Sequence, residues 1–214
     1  MPVEGATTTV LGVNRSKLVK DGDGWETVST EKNFGNPFLE VVTEKVRTPS
    51  RSQGRIWTTI RRKAAVVIAP MTSDGRFLLI KEERIPIRAA IWSMPAGQID
   101  GEGALDENEI EKVALRELHE ETGFDLSPGG EVISLGYFFT SAGLTDEHCY
   151  FFLVRPVQRA SVHNREEGEA ILECRAVPTD ELWRMIAQNE VRDSNTLAIC
   201  ARLAARGFIS LDGR

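Results

Sequence analysis

The run from Asp106 to Gly123 has one obvious local structure, and that structure creates an electrostatic problem. Ile110, Val113, Ala114 and Leu118 recur at helical spacing and form a single apolar stripe. Asp106 and Glu109 make a capping-box pair at the start of this helix, and Gly123 stands where a left-handed residue would end it. That register crowds Arg116, Glu117, Glu120 and Glu121 into the last two turns. Glu117 and Glu121 are four apart and share a face, while Glu120 lies three from Glu117 and four from Arg116. Like charges at such spacings disfavour a helix by roughly 0.2–0.5 kcal/mol per pair. A solvated acidic face tolerates this cost. A hard divalent cation removes it, because Mg²⁺ takes oxygen ligands and is commonly held by one or two carboxylates together with substrate phosphates.

Just upstream, Met94-Pro95-Ala96-Gly97-Gln98-Ile99-Asp100 forms a Pro- and Gly-punctuated loop leading toward the helix. Taken together, loop and helix resemble the Nudix signature, G-x5-E-x7-R-E-U-x-E-E-x-G-U, where U is a bulky apolar residue. Arg116 through Phe124 matches every specified position of its second half. The first half departs from the pattern. Five extra residues separate Gly97 from Arg116, most simply within Gly101–Asp106, and Asn108 stands where the family has a Glu. Loop closure entropy grows slowly with length, so the insertion reads as a longer rim loop.

Composition narrows the partners. The 214 residues carry a net charge of −6, so nucleic acid is not an expected partner, and an anionic substrate must be met by local Arg residues and metal. Cys149, Cys174 and Cys200 lack metal or redox spacing, which predicts a reduced, cytoplasmic protein. The N-terminus lacks the basic-then-apolar pattern of a signal peptide, and no apolar run approaches the ~20 residues needed to span a bilayer, so no membrane association is expected. There is no G-x-x-x-x-G-K-[ST] phosphate loop and no pair of histidines at zinc spacing.

Along the chain, residues 1 to about 36 are rich in Gly, Thr and charge, with a turn cluster at Asp21–Gly24. Strands are predicted over Phe38–Val46, Arg55–Arg62, Ala64–Ala69, Phe77–Ile80, Val132–Phe139, Cys149–Val154 and Glu169–Val177, with a hairpin turn at Asp74-Gly75. Helices are predicted over Asp180–Gln188 and Asn195–Arg206, capped by Thr179 and Ser194. The expected class is α/β. The resemblance implies a Nudix-type α/β/α sandwich with a mixed β-sheet over residues 61–214, preceded by a strand-rich N-terminal extension over 1–60.

Three features look like the ADP-ribose pyrophosphatase branch of that family. They are Pro95-Ala96-Gly97, the segment Ser141–Glu147 (like S-P-G-x-[ST]-x-E, with Ala142 for Pro) and Val191–Thr196 (like I-x-D-x-K-T, with Asn195 for Lys). The resemblance implies Mg²⁺, or Mn²⁺ in its place, held by Glu117, Glu121 and the Ala96 carbonyl. Glu120 would be a third ligand or a support, and Arg116 an ion-pair partner orienting the carboxylates. It implies Glu147 as general base, against an ordinary loop acid, and Arg84 as a phosphate contact, against a surface Arg paired to Glu82 or Glu83. Trp57 and Phe34 are candidates to stack on a base, or simply core or interface residues. It also implies a homodimer with exchanged N-terminal strands. The expected reaction is hydrolysis of ADP-ribose to AMP and ribose 5-phosphate. Its alternatives are another nucleotide sugar, NADH or a dinucleoside polyphosphate as substrate, or a non-catalytic ADP-ribose sensor. His119, His148 and His163 are expected to be ordinary polar residues, and Trp183 and Met185 core.

Overall fold

The computed structural model describes residues 16–100, 106–162 and 170–210. Most of the inserted segment, 101–105, and His163 lie outside the described residues. The chain divides into two compact units, one comprising residues up to Lys63 with Phe139–His148, the other Ala64–Phe138 with Cys149 onward.

The first unit is a three-stranded antiparallel sheet in the order β1 (Glu26–Gly35), β2 (Leu39–Thr48), β3 (Arg51–Arg62). Strand β1 falls in the stretch rich in Gly, Thr and charge, where no individual strand is predicted from the sequence. It forms because Asn36 builds a tight connection, its side chain accepting from the Phe38 and Leu39 amides at 2.8 and 2.9 Å, and because charged partners face each other across the strands. Lys32 pairs with Glu40 at 2.7 Å and Arg47 with Glu26 at 2.7 Å, joining β1 to β2, while Arg61 pairs with Glu44 at 2.8 Å and joins β3 to β2. Each such cross-strand pair is worth roughly 0.2–1 kcal/mol. Polar strands of this kind carry no apolar alternation to announce them.

In the second unit a seven-stranded sheet runs in the order β10 (Ile171–Val177), β5 (Phe77–Arg84), β4 (Ala65–Thr72), β9 (His148–Arg159), β8 (Phe124–Phe139), with β6 (Ala89–Ser93) on β5 and β7 (Ala96–Gln98) on β4. Strand β4 pairs parallel with β9 and antiparallel with β5 and β7, so the sheet is mixed. Val66 to Pro70 of β4 are all buried, as expected for a strand covered on both faces. Side chains alternate across a strand. Val66 and Ile68 therefore pack with Ile110, Ala114 and Leu118 of α1 (Glu107–Thr122). Val67 and Ala69 pack on the other side with Leu182 and Met185 of α2 (Thr179–Ala187) and Ile199 and Leu203 of α3 (Ser194–Ala205). The result is an α/β/α sandwich whose middle layer is the mixed sheet.

Helix α1 begins as its sequence predicts. The Asp106 carboxylate accepts from the Glu109 amide at 2.9 Å, and the Glu109 carboxylate accepts from the Asp106 amide at 3.0 Å. Gly123 ends the helix at φ 71°. The other two caps differ from expectation. Pro178, with no side-chain bond, precedes α2, so Thr179 is its first residue. Asp193, not Ser194, caps α3, accepting from the Thr196 amide at 2.7 Å. Its carboxylate also favours the helix N-terminus electrostatically, which a hydroxyl does not. Met185 is fully buried and Trp183 partly so, its indole donating to the Ser210 carbonyl at 2.7 Å. No helix among the described residues is long and apolar enough to cross a membrane.

Candidate active site

The apolar stripe of α1 faces the sheet, and this rotation turns Glu117 and Glu121 toward the loop that carries β7. Both carboxylates are nearly covered, at 5% and 3% exposure. Together with Ala96, Gly97 and Asp100 from the loop, Glu82 and Arg84 from β5, and Arg116, they line a strongly polar cavity of about 270 Å³. The Glu121 carboxylate accepts from the Ala96 amide at 2.8 Å, pinning the loop to the helix. A Cβ added at Gly97 would overlap the Glu117 carboxylate, so only glycine lets the loop backbone come this close.

Arg116 spans two acids, donating to Glu117 and Glu120 at 2.5 Å each. Glu117 and Glu121 reach the cavity wall, whereas Glu120 does not line it and is joined to Glu117 through Arg116. Arg84 is ion-paired at 2.9 Å to Glu82, a partner its surface reading named, and also lines the cavity beside the α1 carboxylates. Burial raises the Glu82 carboxyl above the usual range; Arg84 opposes that shift and Asp193 adds to it.

Two buried carboxylates one helical turn apart, beside an open polar cavity, are a donor set suited to a hard divalent cation whose remaining ligands are water and phosphate oxygens. Among the described residues no group of three or more Asp, Glu, His or Cys side chains is arranged to hold a metal ion by itself.

The loop is braced from behind by a residue the sequence did not single out. Thr196, fully buried at the start of α3, accepts from the Met94 amide at 2.8 Å and donates to Asp193 at 2.8 Å. The only signal for it in the sequence was its place in the segment Val191–Thr196.

Within the first unit, Ser141–Glu147 runs as a loop along the end of β3. The Ile60 amide donates to the Leu144 carbonyl at 2.9 Å, and the Trp57 indole to the Gly143 carbonyl at 3.2 Å. Trp57, half exposed with the Arg55 guanidinium 5.4 Å above its ring, lines a groove of about 910 Å³ together with Trp25, Arg61 and Leu144. Phe34 is exposed on β1 opposite Val41 and does not line that groove. Glu147 has Arg62 at 2.9 Å and Thr140 at 2.8 Å. His148, directly after the Ser141–Glu147 loop at the start of β9, is buried with Nδ1 3.0 Å from the Ser16 hydroxyl, and burial lowers its pKa. His119 sits 2.8 Å from Asp125 near the end of α1.

The NUDIX domain model matches residues 61–198. The chain belongs to the Nudix family. This Nudix pyrophosphohydrolase is 26% identical over 172 residues to an ADP-ribose pyrophosphatase of Bacillus subtilis (strain 168), covering 80% of this chain and 88% of the relative. A GDP-mannose pyrophosphatase of Klebsiella pneumoniae is 32% identical over 110 residues, covering 50% and 54%. A methanol dehydrogenase activator of Bacillus methanolicus is 24% identical over 173 residues, covering 80% and 88%. The crystal structure of an ADP compounds hydrolase superposes with a TM-score of 0.68 at 16% identity, covering 88% of this chain and 99% of that one, which establishes the shared fold.

Proposed function

We propose that this Nudix enzyme hydrolyses the pyrophosphate of ADP-ribose to AMP and ribose 5-phosphate with the help of Mg²⁺, Mn²⁺ serving in its place. The observation that carries the proposal is the pair of buried carboxylates, Glu117 and Glu121, facing a polar cavity that also holds the Ala96 backbone and the Arg84 guanidinium. Glu117, Glu121 and the Ala96 carbonyl would hold the cation. When bound, it neutralises charge on the phosphate oxygens and makes water a competent nucleophile at neutral pH.

The chain's own groups do the rest. Arg116 holds Glu117 in orientation and ties Glu120 to it, so Glu120 supports the site from outside the cavity wall. Partners of this kind fix ligand geometry. Arg84 offers a planar pair of donors to a phosphate, released from Glu82 by the stronger charge of the substrate. Glu147, at the end of the Ser141–Glu147 motif, takes the proton from the attacking water. Trp57 is the better of the two aromatic candidates for stacking on the adenine, because it lines a groove and Phe34 does not. A small-molecule nucleotide is the substrate, and the strand-rich extension over residues 1–60 is the dimerisation element of a cytoplasmic homodimer.

A second reading, a sugar nucleotide such as GDP-mannose, is favoured by the Klebsiella relative. A panel of ADP-ribose, GDP-mannose, NADH and diadenosine polyphosphates, with product analysis, separates the two. Highest kcat/KM on ADP-ribose, abolished by EDTA and restored by Mg²⁺, supports the proposal. Highest kcat/KM on GDP-mannose replaces the substrate, and metal-independent turnover refutes the chemistry.

A further inference from the structure

We infer that Arg62 and Thr140 are positioning residues that aim the Glu147 carboxylate, an assignment that rests on Glu147 being the general base. A carboxylate at the end of an exposed loop ordinarily samples several rotamers, and a base that wanders by about 1 Å loses on the order of 10²-fold in rate. Glu147 does not have that freedom. Its Oε1 is held by the Arg62 guanidinium at 2.9 Å and its Oε2 accepts from the Thr140 hydroxyl at 2.8 Å, so each oxygen has its own donor from a different side.

The backbone around it is tied just as closely. The Thr140 amide donates to the Glu147 carbonyl at 3.1 Å, and the Glu147 amide donates to the Thr145 hydroxyl at 3.1 Å. Arg62 also acts on the preceding residue, its amide donating to Asp146 Oδ1 at 3.1 Å, while Asp146 Oδ2 accepts from the Ser16 amide at 2.7 Å. One residue at the end of β3 thus fixes two consecutive acids, Asp146 through its main chain and Glu147 through its side chain.

Stability does not explain the guanidinium. The Arg62 side chain is 39% exposed, and ion pairs at such sites add little to folding. Its effect is orientation. Thr140 supplies the second fixed point, because one ion pair alone leaves the carboxylate free to turn about the axis of that contact.

The test measures kcat and KM, on whichever of ADP-ribose or GDP-mannose the wild type turns over faster, for Arg62→Gln, Arg62→Lys, Thr140→Val, Glu147→Gln and the double variant Arg62→Gln/Glu147→Gln. Thermal unfolding of each is followed alongside. Arg62→Gln is expected to lose roughly 10–100-fold in kcat, with KM within about two-fold of wild type. Arg62→Lys recovers part of that loss and Thr140→Val shows a smaller one. The double variant is no slower than Glu147→Gln alone, because residues acting through one group are not additive. Multiplicative losses in the double variant overturn the inference, as does an Arg62→Gln kcat equal to or above wild type while Glu147→Gln is inactive. Full activity in Glu147→Gln removes the base assignment and this inference with it. If Arg62→Gln does not fold, Thr140→Val carries the same comparison against Glu147→Gln.

Discussion

Replacing Gly97 by Ala is the sharpest perturbation of the proposed cation site, because it adds one methyl group and changes no charge. Gly97 lies in β7 outside the left-handed region, so its backbone accepts alanine without strain. By itself that exchange stabilises a protein by roughly 0.4–1 kcal/mol through the unfolded chain. The new Cβ, however, would occupy the space of the Glu117 carboxylate. Such a group is the mobile end of a long side chain, so it gives way at about 1–3 kcal/mol, the usual range for overpacking. Net stability therefore falls by no more than about 2.6 kcal/mol. Activity responds far more steeply, since a misplacement of about 1 Å in a site of this kind costs on the order of 10²-fold, equivalent to roughly 2.7 kcal/mol of transition-state stabilisation. The assay pairs urea unfolding with kcat measured across a Mg²⁺ titration. The expected result is a folded protein with kcat down about 100-fold and a weaker apparent metal affinity. A Gly97→Ala enzyme with wild-type kcat and an unchanged Mg²⁺ dependence would show that the Glu117 carboxylate does not act where the cavity puts it.

Glu121→Gln keeps an oxygen able to accept from the Ala96 amide, so the loop stays docked while the charge is lost. Turnover is expected to fall by at least about 100-fold at saturating Mg²⁺, with unchanged circular dichroism, and wild-type kcat would contradict this. Asp106→Ala removes the capping box of α1 and should cost about 0.5–2 kcal/mol by urea denaturation, with kcat at 25 °C unaffected; no change in midpoint would mean that the cap contributes nothing. Burial lowers the His148 pKa from the ordinary histidine value of about 6.5, so the unfolded chain binds this proton more readily than the folded one. His148 therefore has its full stabilising effect above pH 6.5, and that effect drains away as pH falls toward the lower folded value. His148→Gln should flatten the decline in unfolding midpoint below pH 6.5, and a wild-type-like decline in the variant would exclude this residue as its source.

The features that could be read directly from the sequence were those whose physics is local. Helix α1, its capping box and its closing glycine follow from a 3.6-residue period and residues within one turn of each other. Strand β4 shows itself as an unbroken apolar run, and the carboxylates of the acidic helix mark themselves by mutual repulsion. Features made by distant partners were hidden. Strand β1 has no apolar alternation and exists through charge pairs with β2. Asp193 displaced Ser194 as a cap because its carboxylate serves both the Thr196 amide and the Thr196 hydroxyl. Arg62 became the partner of Glu147 only once β3 had delivered it there, 85 positions along the chain. The amino-acid order by itself determined which acidic groups would crowd together and which helix would carry them. Only tertiary packing decided which carboxylates reach the cavity and which side chains hold the loop acid in place, because those contacts depend on directions set by strands and helices far apart in sequence.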